Sequence, residues 1–366
     1  GMDVHKETTV IALAHGGREG KVERLGTFSS GFDSMRKVLE RLRRREAHLS
    51  FAYESGRTGF ALQRRLAAWG EECIVASASH VPKKAGDRVK TDRRDAELIA
   101  KAHRAGDLDP IHVPDAVDES IRDLCRARFD AKQDQRRGKQ RLKSFLLRNG
   151  YAYRAISDWT PRHKAYLREK PLQHPGQKGT LESYIRSIDH ANERIEDLET
   201  QLELLALEWR LDPLACSLMA FRGIGWLTGI CLAAELGDIR RFPSARALMA
   251  YLGLTASEHS SGLRERKGAI TKAGNAHVRF YLVESAVHYK RPPKVSKELT
   301  RRQVGIASEV TDMSWHAQNR LHARYWTLVN QGLPMQKAQV AVARELAGYV
   351  WSVGQGDYLY EDIEGS

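Results

Sequence analysis

Leu49-Ser50-Phe51-Ala52-Tyr53-Glu54-Ser55-Gly56 is a short apolar run that ends on a carboxylate and a glycine. Aromatic residues closed by Ser-Gly read as a buried strand with Glu54 at its end. Upstream, Thr8 to Ala14 reads as another strand, and Gly16-Gly17 as its turn. Gly31 to Arg44 carries Phe32, Met35, Val38, Leu39 and Leu42 at helical spacing. Downstream, Gly59 to Trp69 reads as a helix, Cys73 to Ala76 as a strand and Asp92 to Ala105 as a helix. Strands alternating with helices predict an α/β domain over residues 1–112, with a mixed sheet covered by helices.

Acidic residues punctuate this domain. Asp3 follows Gly1-Met2 at a predicted strand end, and Glu54 ends the quoted run. Asp92 and Asp95 lie three residues apart at a helix start, which puts both carboxylates on one face. Acids in a first helical turn also complement the helix dipole, so this pair alone has a plain structural reading. Asp3 and Glu54 fall outside that reading. The four together suit carboxylate binding of divalent metal, in which paired ions ~3.5–4 Å apart activate a nucleophile and stabilise a leaving oxygen. A strand ending at Asp3 needs apolar residues before it, so the natural chain is expected to begin upstream of Gly1.

The 366 residues are 42% hydrophobic and 29% charged, with a net charge of +13. That composition excludes a disordered chain, and the positive excess calls for a polyanionic partner. No apolar run approaches a membrane span, so nucleic acid is the expected partner and the cytoplasm the expected compartment. Cys73, Cys125, Cys216 and Cys231 have no metal-type spacing and read as reduced core cysteines.

Residues 113–210 change character to mostly helical. Arg122, Arg126, Arg136, Arg137 and Arg141 belong to a dense basic stretch suited to phosphate contact; a solvated helix face is the plain alternative. Leu181, Tyr184, Ile188, Ala191, Ile195, Leu198, Leu202 and Leu205 alternate spacings of three and four, a coiled-coil seam that argues for self-association. A long helix packed in a bundle gives the same pattern. Phe221-Arg222-Gly223-Ile224-Gly225-Trp226 reads as a helix-hairpin-helix-like turn, with Gly223 and Gly225 offering backbone N–H groups to a phosphate; a simple helix corner reads the same way. Ser257 to Gly262 and Gly268 to Asn275, including Lys272, form a small-residue loop. Ser, Gly, Lys and Asn clustered between two helices suit a loop that approaches a phosphate backbone, with Lys272 as a nucleic-acid contact. A structural loop is the plain reading of the spacing, because no base is fixed beside any of its serines. The mainly helical region 211–351 is followed by an acidic tail over 352–366.

Gly-Met-Asp-Val-His-Lys-Glu-Thr, Tyr-Glu-Ser-Gly, Gly-Asp-Arg-Val-Lys-Thr-Asp-Arg-Arg-Asp-Ala, Leu-Met-Ala-Tyr-Leu-Gly-Leu-Thr-Ala-Ser-Glu-His-Ser-Ser-Gly and Gly-Ala-Ile-Thr-Lys-Ala-Gly-Asn occur here in this order. Together they resemble the DEDD-type insertion-sequence transposases of the IS one-ten family, RNA-guided recombinases that use a bridge RNA. The resemblance spans nearly the whole chain. It implies a RuvC-like (RNase H-like) N-terminal domain, a helical coiled-coil middle and a C-terminal transposase domain. By motif it makes Asp3, Glu54, Asp92 and Asp95 the Mg²⁺ ligands, with Mn²⁺ as a substitute, and Ser261 the nucleophile, Ser260 being its close rival. The implied chemistry is a covalent phosphoserine with DNA. The implied partners are donor DNA, target DNA, the bridge RNA and further copies of the chain as a homodimer or homotetramer, the serine of one subunit meeting the acids of another. The turn at Phe221-Arg222 departs from relatives that carry a proline there. Two other functions compete: a RuvC-like structure-selective endonuclease that uses water, and a non-catalytic nucleic-acid-binding protein. Four carboxylates facing phosphate count against the second.

Overall fold

The computed structural model describes residues 1–17, 20–46, 48–77, 92–153, 158–169, 172–258 and 267–356. The chain is mixed α/β and mostly helical, with its central sheet in the N-terminal region, and it divides into two compact units, Gly1–Pro114 and Asp115–Ser366.

The first unit is built on a five-stranded sheet. β1 (Met2–Val4) pairs antiparallel with β2 (Thr8–Ala14), which pairs antiparallel with β3 (Val22–Ser29). On its other side β1 pairs parallel with β4 (Ser50–Glu54), and β4 with β5 (Glu72–Ala76), giving the order β3-β2-β1-β4-β5. α1 (Phe32–Arg43) follows β3, and α2 (Ala61–Ala68) joins β4 to β5. α1 turns Met35, Val38, Leu39 and Leu42 into a core shared with Ile11, Phe51, Tyr53 and Val75. Each such side chain removed from water contributes about 1.5–3 kcal/mol. Val10 and Ala12, one pleat step from Ile11, meet the opposite face. There α3 (Asp92–Ala105) lays Ala96 and Ala100 against the sheet. A Cβ on Gly1 would lie 2.2 Å from the backbone nitrogen of Ala100, so small residues on both sides are what let this helix lie so close. Asp3 sits inside β1, between Met2 and Val4, and pairs with Val10 of β2.

The second unit begins with α4 (Ala116–Arg148), capped by Asp115, whose carboxylate accepts from the Asp118 N–H. A short α5 (Pro161–Arg168) leads to α6 (Pro175–Ala206). α4 and α6 form an antiparallel hairpin, traced by facing pairs: Gly138 with Ile188, Gln135 with Asn192, Arg128 with Glu199. Gly138 leaves just enough room, since a Cβ there would stand 3.0 Å from Ile188 Cγ1. The apolar seam of α6 is buried at Leu181, Ile188, Ala191, Ile195 and Leu202. It closes on α4 of the same chain, so it supplies no argument for self-association. Leu205 is half exposed and Ala206 is buried in its place. A straight helix of 3.6 residues per turn drifts off a 3.5-residue repeat, and here the drift shows after three heptads.

Beyond the hairpin, α7 (Asp212–Met219), α8 (Trp226–Leu236), α9 (Ala245–Tyr251), the pair β6 (Ala256–Glu258) and β7 (Lys267–Ile270), α10 (Ala276–Ala286), α11 (Lys297–Arg302), α12 (Ser308–Asn330) and α13 (Met335–Gly354) follow. α7 to α10, α12 and α13 share one core with the open end of the hairpin. α13 runs past Trp351, and the acidic residues from 357 onward lie outside the described residues. No described helix is long and apolar enough to cross a membrane. All four cysteines are free.

Burial pushes His103, His163 and His288 below the usual histidine pKa of about 6.5, with added repulsion at His288 from Arg222 and Arg291. A base whose folded pKa is depressed stabilises the fold fully above its unfolded value. That stability is lost as pH falls from about 6.5 through the folded pKa. Thermal melts are therefore expected to move to lower temperature between pH 7.5 and 5.5. A melting temperature flat across that window would contradict these assignments.

Candidate active site

The β1–β4 register pairs Met2 with Tyr53. Asp3 and Glu54, each one residue further along parallel neighbours, therefore stand side by side on strands ~4.8 Å apart. Both line a cavity of about 890 Å³, and Asp95 from the first turn of α3 reaches the same wall. His5, Lys6, Ser30, Ser55, Arg57 and Thr58 add to its polar lining. His5 Nε2 lies 3.2 Å from Asp3 Oδ2. The Tyr53 hydroxyl donates to the Gly59 carbonyl at 2.9 Å and ties down the loop after Glu54. Asp92 opens α3, but its side chain lies outside the described residues.

Donors of this kind, carboxylate oxygens on separate elements of a rigid sheet, fit a hard divalent cation. Among the described residues, no three acidic, histidine or cysteine groups converge into a closed metal cage. Three of the four sequence-predicted acids thus share one cavity, while the described donors stop short of a ready-made coordination shell.

Ser260 and Ser261 lie outside the described residues, as does His259. The flanks of their loop are described. Ala256 pairs with Ile270 and Glu258 with Lys267. Below them the Thr271 N–H donates to Thr255 O and the Lys272 N–H to Gly253 O. Gly253 and Gly274 both take positive φ and interlock: a Cβ on Gly274 would lie 1.9 Å from Tyr251 O, and one on Gly253 2.3 Å from Ala273 O. Only glycine allows backbones this close. Lys272 is exposed and has φ 56°.

A network that the sequence reading did not anticipate sits beneath this neck. Glu235 at the end of α8 is buried, and its carboxylate accepts from Arg126 Nε at 2.7 Å and Nη2 at 2.9 Å. The Asn275 side-chain Nδ2 donates to it at 2.7 Å, while Oδ1 of the same side chain caps α10 by accepting from the N–H groups of His277 and Val278. Burial raises the Glu235 pKa, and the bonds from Arg126 and Asn275 outweigh it, leaving the carboxyl below its usual range. A lone glutamate in the apolar run Trp226 to Leu236 was the available signal, since a buried charge needs a partner.

The basic candidates separate into two kinds. Arg126 is committed to Glu235, and Arg122 is largely buried beside Glu119 at 3.2 Å. Arg136, Arg137 and Arg141 are exposed. Arg137 and Arg141 line a groove of about 600 Å³ with Arg186, His190 and Arg194 of α6. The α6 residues were missed because that helix was read only for its apolar seam. Gly223, at φ 85°, packs so tightly on α10 that a Cβ would stand 2.5 Å from Ser285 O. Its turn is a packing device, with the Ala220 carbonyl taken up by Gln303 and Ser314. Gly225 caps α8 and a Cβ there would meet open space.

Comparison with known proteins follows these same regions. A DEDD-type transposase family model matches residues 1–149, and the model described as "Transposase IS116/IS110/IS902 family" matches residues 215–301. The chain is 38% identical over 355 residues to the putative transposase y4qE of Sinorhizobium fredii, covering 97% of this chain and 88% of that protein. It is 26% identical over 332 residues to the transposase for insertion sequence element IS1533 of Leptospira borgpetersenii, covering 90% and 95%. With the transposase for IS1111A of Coxiella burnetii it shares 25% identity over 205 residues, 54% of each chain. The matches run from the acid-lined sheet through the helices around the serine loop, and the chain belongs to the IS110 family of insertion-sequence transposases, enzymes of DNA recombination.

Proposed function

We propose that this transposase is an RNA-guided DNA recombinase that cuts strands through a covalent phosphoserine on Ser261, with Asp3, Glu54, Asp92 and Asp95 as its four-acid site. The observation that carries the reading is the parallel register that sets Asp3 beside Glu54, with Asp95 on the same cavity wall. A mixed sheet with acids on its neighbouring inner strands β1 and β4 supports a RuvC-like (RNase H-like) domain. The four carboxylates would hold Mg²⁺, or Mn²⁺ in its place, which when bound offsets charge developing on the attacked phosphate and leaving oxygen.

Ser261 Oγ attacks phosphorus. The Oγ–P bond forms as the P–O3′ bond breaks, the serine proton leaves with its acceptor, and the departing O3′ takes up a proton. A phosphoserine and a free 3′-hydroxyl result. After strand exchange that hydroxyl attacks a phosphoserine, and the same bonds are remade in reverse. The interlocked glycine neck supports this role by fixing where the serine loop starts and ends. The acids belong to one compact unit and the loop to the other, which suits an oligomer in which the acids of one subunit serve the serine of another. The groove of Arg137, Arg141, Arg186 and Arg194 suits the backbone of the bridge RNA or of donor and target DNA.

The test is a denaturing gel of the protein with bridge RNA, Mg²⁺ and nicked suicide DNA. A DNA-linked protein band is expected in wild type and Ser260→Ala, and none in Ser261→Ala or Asp92→Ala. Cleavage without a linked band, surviving Ser261→Ala, would make the protein a water-using nuclease. Equal yields without RNA would remove the guide from the mechanism.

A further inference from the structure

We propose that the pocket where α5 packs against the α4–α6 hairpin binds one unpaired nucleotide, its base stacked on Trp159 and its phosphates held by Lys164 and Arg168. The cavity is about 260 Å³ and is lined by Lys139, Trp159, Lys164, Arg168, Asp189 and Asn192, with apolar side chains at its floor. It is distinct from the arginine groove. Lys139 lies two residues from both Arg137 and Arg141, about 200° around α4, and so faces the other side of the hairpin.

Trp159 has φ 66°, an uncommon and strained backbone conformation for a bulky side chain. The surroundings hold it there. Its N–H donates to His163 Nδ1 at 3.0 Å, the two rings meet edge to face at 5.0 Å, and Thr160 caps α5 by accepting from the His163 N–H. The indole is thereby presented at the cavity while remaining partly exposed.

The cations lining the cavity outnumber its carboxylate, Asp189. Among the described residues, Lys139, Lys164 and Arg168 have no acidic group within ion-pair distance, whereas Arg128 and Arg194 elsewhere on the hairpin are paired with Glu199 and Asp134. Lys139 Nζ stands 5.0 Å from the centre of the indole ring. Burial, and then repulsion from Lys132, Lys164 and Lys143, push its pKa down. A phosphate would relieve that repulsion and draw the ammonium off the ring, freeing the aromatic face for a base. Asp189 and Asn192 add polar groups suited to the edge of an extruded base. The volume is below the roughly 300–1,000 Å³ of pockets that bury a drug-sized ligand, which suits one base with its phosphates at the rim.

The proposal rests on the nucleic-acid partner proposed above and is independent of the serine chemistry, so a binding assay separates the two. Full-length protein is titrated with a fluorescein-labelled single-stranded RNA, with single-stranded DNA of the same sequence, and with duplex DNA. Trp159→Ala is expected to weaken single-strand binding about tenfold, Trp159→Phe to retain most of it, and duplex binding to stay nearly constant. The double variant Lys164→Gln, Arg168→Gln is expected to lower the slope of log K against log salt by about 1 for single strands. The strand type that carries the Trp159-dependent loss identifies the source of the nucleotide as RNA or DNA. Unchanged single-strand affinity in both variants, or an equal loss on duplex DNA, overturns the proposal. If Trp159→Ala does not fold, the double variant at these two exposed cations decides on the same criteria.

Discussion

Asp3→Asn and Glu54→Gln, made singly, are expected to lower metal-dependent strand cleavage by about 10²- to 10⁴-fold. Charge stabilisation at a metal-assisted transition state is worth several kcal/mol, and each 1.36 kcal/mol is tenfold in rate. Both substitutions keep the side-chain shape and remove one negative charge. Neither should disturb the sheet, because the strand pairing at Asp3 and Glu54 is carried by backbone groups. The informative part is the sign of the binding change. A carboxylate without its cation repels phosphate, so the neutral variants should bind DNA as tightly as wild type, or more tightly, when metal is withheld. Cleavage lost while metal-free binding holds or improves would identify these residues as part of the catalytic cavity. Cleavage retained within about threefold of wild type, which is under 1 kcal/mol, would remove them from the chemistry.

Most of the first unit could be read from residue order. The strand ending at Glu54 and the helices from Phe32 and Asp92 lie where apolar spacing put them. The strand is an apolar run buried on both faces, Phe51 and Tyr53 on one and Ala52 on the other, and each helix has a clear apolar face. A strand was expected to end at Asp3, and β1 instead runs through it from Met2 to Val4, a stretch too short for its end to show as a period. β3 was missed because it is an edge strand with Glu23 and Arg24 in it and Gly26 at φ 125°, opposite a register shift in β2. Edge strands carry charges and irregularities that blunt their pattern. The α6 seam was legible as apolar, and of its two readings the structure shows the packed helix, covered by α4 of the same chain, since periodicity records that a face is covered and is silent on what covers it. For the same reason the arginines of α4 looked alike in sequence. Only their partners separate Arg126, which holds a buried glutamate, from Arg137 and Arg141, which face a groove.

That difference makes Arg126 the sharpest test of the second unit. Arg126→Ala is expected to destabilise the fold by about 3–5 kcal/mol, because it leaves the Glu235 carboxylate buried with Asn275 as its remaining partner. In a unit of this size that is a fall in melting temperature on the order of 10 °C. Glu235→Gln should cost less. The Glu235 side chain is 1% exposed, whereas that of Arg126 is 42% exposed, so a stranded guanidinium can turn to water and a stranded carboxylate cannot. The order of the two effects therefore follows from burial and not from which partner carries the charge. Raising the pH does not repair Arg126→Ala. Lowering it through the carboxylate range should narrow the gap between the variant and wild type, because protonation removes the unpaired charge in one and breaks the ion pair in the other. Melts of both variants between pH 7 and 4 check this. A smaller loss for Arg126→Ala than for Glu235→Gln, or weakened nucleic-acid binding in a fully stable Arg126→Ala, would return Arg126 to the phosphate-contacting surface and leave the serine loop's neck without its buried anchor.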